Sequence, residues 1–402
     1  MTDVAVPRRA LVEARNEQFE GRHFVFLIGS IAHFGGAERQ ALTLAKMLRE
    51  EVGARVSFLA WIKAPGIMTD HLENAGIHVH VHPLDWQHRL TWRKAAIPKA
   101  MRLIAFTRFV RNTVRPDYLL PYIGVNSKVA GLIWRAAGAR YTWWNQRDEG
   151  RLIYGSRLER WILDKVPEVV SNSWDGRDFL VEKCGVAYER VKIINNAVPI
   201  PAPSDGSEWR ARLGLSDGDR LALMAANFTD YKDHDTLLRA FARTGTESER
   251  PRYHLALAGR ADETALTLKG LAFDLGLGGR VHFVGAISDM DPLYEAADLV
   301  VHSSIAEGCP NAVLEGMAHA KCVVGTDIGG LRQALGEEQS SRFLAPPKDV
   351  DALAAKMTSA FRSDEMRSVA GAANRKRIVD EFSPGRLLGE VLDGIRKNAL
   401  AR

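Results

Sequence analysis

The stretch SSIAEGCPNAVLEGMAHAKCVVGTDIGGLRQAL, residues 303–335, decides how the rest of the chain is read. Immediately before it, Asp298-Leu-Val-Val-His302 is short and apolar enough for a buried parallel strand. Pro310 stands where proline is tolerated, at the first position of a helix, and Asn311 to Ala320 continue helically. A second buried strand, Cys322-Val-Val-Gly325, then leads into Asp327-Ile-Gly-Gly330. The unit is strand, loop, helix, strand, with its unusual residues in the loop at the strand's carboxyl end. Open parallel sheets bind their ligands at that place.

Two carboxylates, Glu307 and Glu315, bracket the Gly-Cys-Pro-Asn turn. A helix beginning at Pro310 aims unsatisfied backbone N–H groups into the loop, which favours an anion such as a diphosphate. Gly308 has no side chain and lets a ligand approach the backbone. A carboxylate only accepts hydrogen bonds, and its two oxygens can take two vicinal hydroxyls, as on a ribose or a hexose. Two carboxylates beside an anion site suit a ligand that is sugar, phosphate and ribose at successive points. The plainer alternative is one glutamate favoured near a helix start and another in a solvated loop.

Outward from this stretch the chain alternates. Strands are expected at Phe24–Ile28, Val56–Trp61, His78–Leu84, Asp117–Tyr122, Tyr141–Asn145, Val169–Ser173 and Val191–Ile194. Gly29 to Gly36 forms a glycine loop running into a helix from Ala37 to about Leu48, an arrangement that cradles phosphate, though without G-x-G-x-x-G or the Walker lysine. His78, His80 and His82 would share one strand face, and without an evident fourth ligand that face reads as partly exposed rather than metal-binding. Pro199-Ile-Pro-Ala-Pro-Ser-Asp-Gly206 is the best linker in the sequence. Past it come strands Leu221–Ala226, His254–Ala258 and Val281–Val284, with helices Asp235–Ala242, Glu263–Leu275 and Pro292–Ala297. Val350–Ser363, Glu365–Phe382 and Pro384–Lys397 close the chain as helices. Strands alternating with helices imply parallel α/β sheets, and two such halves imply a cleft between them. The expected domains are 1–198, 199–382 and a last helix, 383–402, returning to the first half. Lys232, in the Asn227-Phe-Thr-Asp-Tyr-Lys232 loop, is placed to donate to an anion.

Composition narrows the class. The chain has 402 residues, 46% apolar and 26% charged, with a net charge of +5. That suits a globular protein of two or three domains. No run approaches the ~20 apolar residues that span a bilayer, and the first twenty residues lack an apolar signal core, so export is not expected. Cys184, Cys309 and Cys322 are odd in number and widely spaced, as for thiols in a reducing cytoplasm. From Trp86 to Pro116 the chain carries Arg89, Arg93, Lys94, Lys99, Arg102, Arg108, Arg111 and Arg115 and no acid. Ile97, Met101, Ile104 and Arg108 fall at helical spacing there, and Trp86, Trp92, Phe106 and Phe109 are interleaved. Such a helix suits an anionic membrane surface, on the inner face of the cell membrane, unless it is simply solvated. No nucleic-acid motif accompanies it.

Taken together, Glu307 to Glu315 within EGCPNAVLEGMA, Gly35-Gly36-Ala-Glu-Arg39, Ser171-Asn-Ser173, Ile194-Asn-Asn-Ala-Val198 and Lys232-Asp-His-Asp-Thr-Leu-Leu238 resemble a retaining glycosyltransferase of family four. The resemblance runs from about Phe24 to the last helix. It implies the GT-B architecture, an α/β fold of two Rossmann-like domains with parallel sheets facing across a cleft. Glu315 would then hold the donor ribose and Glu307 the transferred sugar. The backbone of Gly308, Cys309, Pro310, Asn311 and Ala312 would contact sugar and phosphate, and that near Ala286 and Ile287 the base. Lys232 would neutralise the diphosphate leaving group, with Gly35 and Gly36 closing on it. The implied donor is a nucleotide sugar, UDP-sugar ahead of GDP-sugar. No metal or other cofactor is expected, since no Asp-x-Asp lies at a plausible site.

Two departures stand out. Many relatives have an arginine five residues before the lysine, where this chain has Asn227, so that contact is lost or supplied by Arg260. Many also have a histidine near the place of Tyr122, which leaves Tyr122, Arg147 and Asp148 as acceptor-side candidates. The implied activity is transfer of a hexose or N-acetylhexosamine to a glycan or lipid-linked acceptor in cell-surface polysaccharide biosynthesis. The alternatives are a catalytically silent GT-B subunit that binds nucleotide sugar or partners an active transferase, and a nucleotide-sugar epimerase, against which the Glu-x7-Glu pattern argues.

Overall fold

A computed structural model describes residues 17–31, 34–62, 66–84, 92–148, 150, 153–245, 252–260 and 264–399. By internal contacts the chain divides into two units. The first runs to Asn172 and adds Gly176–Ile194 and the chain from Pro384 onward; the second comprises Ser173–Asp175 and Asn195–Ser383.

The first unit holds a seven-stranded sheet of β1 (His23–Ser30), β2 (Arg55–Ile62), β3 (His78–Val81), β4 (Tyr118–Pro121), β5 (Tyr141–Gln146), β6 (Glu168–Ser171) and β7 (Val191–Ile193). Its order is β3-β2-β1-β4-β5-β6-β7, parallel throughout. The continuous apolar run Phe24–Ile28 is buried along its whole length, as a strand covered on both faces must be. β3 is shorter than expected and ends at Val81, ahead of Pro83, which has no N–H to extend the ladder. His78 and His80 share a face, their rings 4.5 Å apart, whereas His82 lies past the strand with its ring 4.8 Å from Phe109. Among the described residues no group of three His, Cys, Asp or Glu could hold a metal, and no helix is long and apolar enough to cross a membrane.

The second unit holds β8 (Arg220–Ala225), β9 (Tyr253–Ala258), β10 (Val281–Gly285), β11 (Leu299–His302), β12 (Cys322–Thr326) and β13 (Leu344–Ala345). Their order is β10-β9-β8-β11-β12-β13, again all parallel. Both sheets reverse direction of assembly once, between β1 and β4 in the first and between β8 and β11 in the second. β13 and the helices Ser207–Arg212 and Gly329–Phe343 were not foreseen. The last is two helical pieces bent at Gly336, whose φ of 76° a side chain would resist.

The units part at Ile194, ahead of the boundary expected after Val198, because Asn195 and Asn196 are bonded into the second unit. Asn195 Oδ1 accepts from Gln333 Nε2 at 2.7 Å, and Asn196 Nδ2 donates to the Cys309 carbonyl at 2.9 Å. The proline-rich run Pro199–Gly206 carries no regular structure and lies inside the second unit. The helix Pro384–Ala399 belongs to the first unit, where Lys192 Nζ donates to the Glu390 carbonyl at 2.8 Å.

Several histidines are locked in neutral form. Burial pulls His282 down to about 4, helped by His254 at 3.1 Å, and pulls His80 down to about 4, helped by His78 and His23. His254 and His23 are lowered by burial as well. Each folded-state value lies below that of the unfolded chain, so the unfolded state binds more protons at mildly acid pH. That contribution to stability is present above about pH 6.5 and is lost as the pH falls towards 4. The melting temperature should therefore drop steadily between those limits, and His282→Gln should flatten part of the drop; a flat profile for the wild type would contradict this.

Candidate functional site

Lys232 and Glu307 come from the loops after β8 and β11, the adjacent strands between which the second sheet reverses. The carboxyl ends of such a strand pair form the natural crevice of an open α/β sheet. After β8, Phe228 is buried with its ring 4.7 Å from His234 and 5.9 Å from Phe283, which anchors the loop. A single 3-10 turn, Asp230–Lys232, follows, and Asp233 then caps the helix His234–Ala242 by accepting from Thr236 N–H at 3.3 Å. The β11 loop grips this turn. Ser303 Oγ donates to the Lys232 carbonyl at 2.9 Å, and Ile305 N–H donates to the Tyr231 carbonyl at 2.9 Å.

The Lys232 ammonium donates to Glu307 Oε1. The same oxygen is 3.0 Å from His302 Nε2 and accepts from Ser304 Oγ at 2.9 Å. Ser304 Oγ is also 2.9 Å from His302 Nε2. The serine has one proton, and its place is on the carboxylate. The ring N–H at Nε2 is then shared between the carboxylate and the hydroxyl oxygen, which assigns the tautomer. Burial on its own would raise Glu307, but the ammonium and the His302 hydrogen bond outweigh it and hold the carboxyl well below its usual range. Burial lowers His302, and Lys232 adds to that against the pull of Glu307, so the imidazole stays neutral. The cluster is thus one anion, one cation and two neutral donors, nearly closed to water: His302 is 2% exposed and Glu307 9%.

Beyond Glu307, Gly308 and Cys309 lead to Pro310, which caps the helix Asn311–Ala318 with φ −77° and ψ 103°. Pro310 was expected one position later, as the first helical residue. Its extended ψ places it outside the helix, where its carbonyl accepts from Val313 N–H at 3.1 Å. The helix also stops at Ala318, short of the expected Ala320, whose φ of 55° is left-handed. Gly316 lies so close to β11 that a Cβ would sit 2.6 Å from a Val300 methyl. Gly330, at the start of the next helix, lies against the Glu307 and Gly308 carbonyls, where a Cβ would meet them at 2.7 and 2.5 Å. Asn196 straps the turn from the other side, donating to the Cys309 carbonyl and to Asn311 Oδ1 at 2.6 Å. The Tyr294 hydroxyl donates its one proton to the Ala312 carbonyl at 2.9 Å and lies 3.4 Å from Oε2 of Glu315, in the second turn of the helix.

Asn227 Oδ1 accepts from the backbone N–H of Arg260 at 3.0 Å, so it binds the main chain of the residue whose guanidinium, exposed to solvent, was considered as a replacement cation. Ala286 is exposed and Ile287 half-buried against the core, both just past β10. Gly35, Gly36, Tyr122, Arg147 and Asp148 belong to the first unit. Gly36 opens the helix Gly36–Val52, and Gly35 N–H donates to Glu38 Oε2 at 3.0 Å. Tyr122 and Arg147 follow the adjacent strands β4 and β5, and the guanidinium lies over the Tyr122 ring at 5.2 Å. Burial pushes the Tyr122 phenol up to about 12 despite that cation. Asp148 Oδ1 accepts from Gln146 Nε2 and from Gly150 N–H, each at 2.8 Å, which ties up its loop.

Sequence reasoning did not single out His302, Ser304 or Tyr294, and it noted Asn196 only as part of the Ile194-Asn-Asn-Ala-Val198 motif, with no role at the site. A histidine ending an otherwise apolar strand, followed directly by two serines, is the signal that could have drawn notice to the first two.

Residues 34–200 match the family model described as Glycosyltransferase Family 4, and residues 205–377 match that described as Glycosyl transferases group 1. A putative glycosyltransferase, EpsD of Bacillus subtilis, is 29% identical over 220 residues, 54% of this chain and 54% of that protein. The match thus spans about half the length of EpsD. An uncharacterized glycosyltransferase of Methanocaldococcus jannaschii is 28% identical over 304 residues, 69% of this chain and 74% of that protein. Among solved structures, Anabaena HepE in complex with UDP-glucose matches with a TM-score of 0.77 at 20% identity, covering 93% of this chain and 99% of HepE. That likeness bears on the fold alone. With consecutive family matches across both units and two all-parallel sheets of GT-B type, the chain belongs to the glycosyltransferases of family 4.

Proposed function

We propose that the protein transfers a hexose or N-acetylhexosamine, with retention of configuration, from a nucleoside-diphosphate sugar to a glycan or lipid-linked acceptor in cell-surface polysaccharide biosynthesis. The observation that carries this reading is the Lys232–Glu307 pair at the reversal point of the second sheet. In it a cation fit for the diphosphate and an acceptor fit for sugar hydroxyls stand in one enclosed place. Lys232 neutralises the charge that develops on the leaving phosphate, as a fixed positive group does most effectively in a site shielded from water. Glu307 takes sugar hydroxyls, Glu315 the ribose hydroxyls, and the backbone at Ala286 and Ile287 the base. Retention follows a front-face course in which the leaving phosphate helps deprotonate the acceptor, so no protein nucleophile and no metal is called for. HepE, of the same fold, was solved with UDP-glucose, which favours UDP-sugar here. Gly35, Gly36, Tyr122, Arg147 and Asp148 remain the first unit's candidates for phosphate and acceptor.

We place the enzyme in the cytoplasm, on the inner face of the membrane. The helix Trp92–Phe109 supports this: Met101 is 65% and Ile104 51% exposed, with Arg102 and Arg108 beside them, Arg111 in the π-helical turn Val110–Val114 that follows and Arg115 just past it. Residues 85–91, with Trp86 and Arg89, lie outside the described residues, as do the side chains of Trp92 to Ile97. Charged and apolar groups alternating on one exposed face suit an anionic lipid surface.

A melting screen of UDP-, GDP- and ADP-sugars tests the donor. A ligand at a hundred times its Kd adds about 2.7 kcal/mol to stability, and UDP-sugars should raise the melting temperature by several degrees. No shift with any of them would remove the nucleotide-sugar reading. Lys232→Ala should lower radiolabelled-sugar transfer about a hundredfold or more, with only a modest loss of melting temperature, because Glu307 keeps His302 and Ser304. Glu307→Gln should lower transfer comparably. Donor binding with no transfer by the wild type, given acceptor extract, would instead favour the catalytically silent subunit. For the membrane reading, reversing Arg102, Arg108 and Arg111 to glutamate should abolish flotation with phosphatidylglycerol vesicles while leaving donor binding intact; flotation equal to wild type would refute it.

A further inference from the structure

Every recorded hydrogen bond to the Glu307 carboxylate falls on one oxygen. Oε1 receives Lys232, His302 and Ser304, and Oε2 receives no donor among the described residues. A carboxylate held by one oxygen presents the other in a fixed direction, whereas one held loosely turns about its last side-chain bond, whose rotamers are broad. Of the three donors, Lys232 is the one on a long flexible stem and the one that carries charge. A diphosphate beside it competes for the ammonium directly. His302 has no such freedom. It is the last residue of β11, paired with Gly325 of β12, and its ring is sealed from solvent. Its neutral ring also adds no charge to compete with the ammonium for the phosphate.

We propose that His302 is a positioning residue: with Ser304 it grips Oε1 of Glu307, keeps that grip when Lys232 turns to the diphosphate, and so reserves Oε2 for the hydroxyls of the donor's sugar. The inference rests on the assignment of Glu307 to the transferred sugar. It separates two tasks within one cluster. Lys232 serves the phosphates and is free to move, while the histidine and serine serve the sugar and are not. It also explains why three donors converge on one oxygen while the other receives none among the described residues.

A purely structural histidine would satisfy a buried carboxylate equally well, so the test must tell the sugar from the rest of the donor. UDP and UDP-glucose serve as probes in calorimetric titrations of the wild type, His302→Leu, His302→Gln and Ser304→Ala, with hydrolysis or transfer of UDP-glucose followed alongside. In His302→Leu the affinity for UDP should stay within about twofold of wild type, while that for UDP-glucose and the turnover should fall about tenfold to a hundredfold, the range for a lost hydrogen bond to a charged group. His302→Gln, which retains an N–H donor, should recover most of both. Ser304→Ala removes the second neutral donor without touching the ring, should show the same selective loss, and carries the test if His302→Leu does not fold. Parallel losses of UDP and UDP-glucose, wild-type behaviour in His302→Leu, or no recovery in His302→Gln would each overturn the proposal. A wild type that binds neither UDP nor UDP-glucose brings down the donor assignment itself, and that result is seen before any variant is made.

Discussion

An ionised carboxylate that is 9% exposed has lost most of its water, and the second unit is arranged so that Glu307 does not need it. Taking an anion out of water costs several kcal/mol unless charge and hydrogen bonds replace the solvent. Here the replacement comes from three directions: the turn after β8 supplies Lys232, the end of β11 supplies His302, and the same loop supplies Ser304. All three converge on one acceptor atom, Oε1, so the histidine and the serine still hold the carboxylate when the ammonium is drawn away. The pair is therefore poor evidence for stability and good evidence for a fixed geometry, since apolar residues of similar volume would fold at least as well.

That geometry depends on where the sheet reverses. Because β8 and β11 are neighbours that continue in opposite directions through the sheet, their following loops diverge and leave room above the strand ends. The room is then lined from several elements. The close seat of Gly316 on Val300 brings the helix Asn311–Ala318 down onto β11, and Gly330 lets the next helix approach the Glu307–Gly308 backbone. Asn196 holds the Cys309–Asn311 turn, and Tyr294 holds Ala312 and lies beside Glu315. Each of these is a short polar or glycine contact, so the loop keeps its shape by many small constraints rather than by one large apolar plug.

Within the loop, the departures from expectation have local causes. Pro310 caps the helix instead of beginning it, because its ψ of 103° is extended. Asn227, where the resemblance led us to look for an arginine, has a role of its own: its amide oxygen holds the Arg260 backbone and so shapes the loop after β9. The unit boundary moved to Ile194 because two asparagines, with no apolar signal at all, bond across to Gln333 and Cys309.

The order of strands and helices was legible in the chain, since strands covered on both faces must be apolar end to end and helices between them must keep one apolar side. Phe24–Ile28, Leu221–Ala226 and Cys322–Gly325 read as buried strands on that ground, and so did the loop position of Glu307 and Lys232 and the helical position of Glu315. Periodicity and composition report what a residue's own element must bury; they carry no term for which loops meet. That Lys232 meets Glu307 across 75 residues, that His302 and Ser304 turn to the same oxygen, and that Tyr294 reaches Glu315 were decided by the strand order β9-β8-β11-β12, which brings distant loop ends together. Local sequence determined the elements, because burial acts residue by residue; the tertiary fold decided the site, because a hydrogen bond to a buried carboxylate exists only once both partners have been carried to the same place.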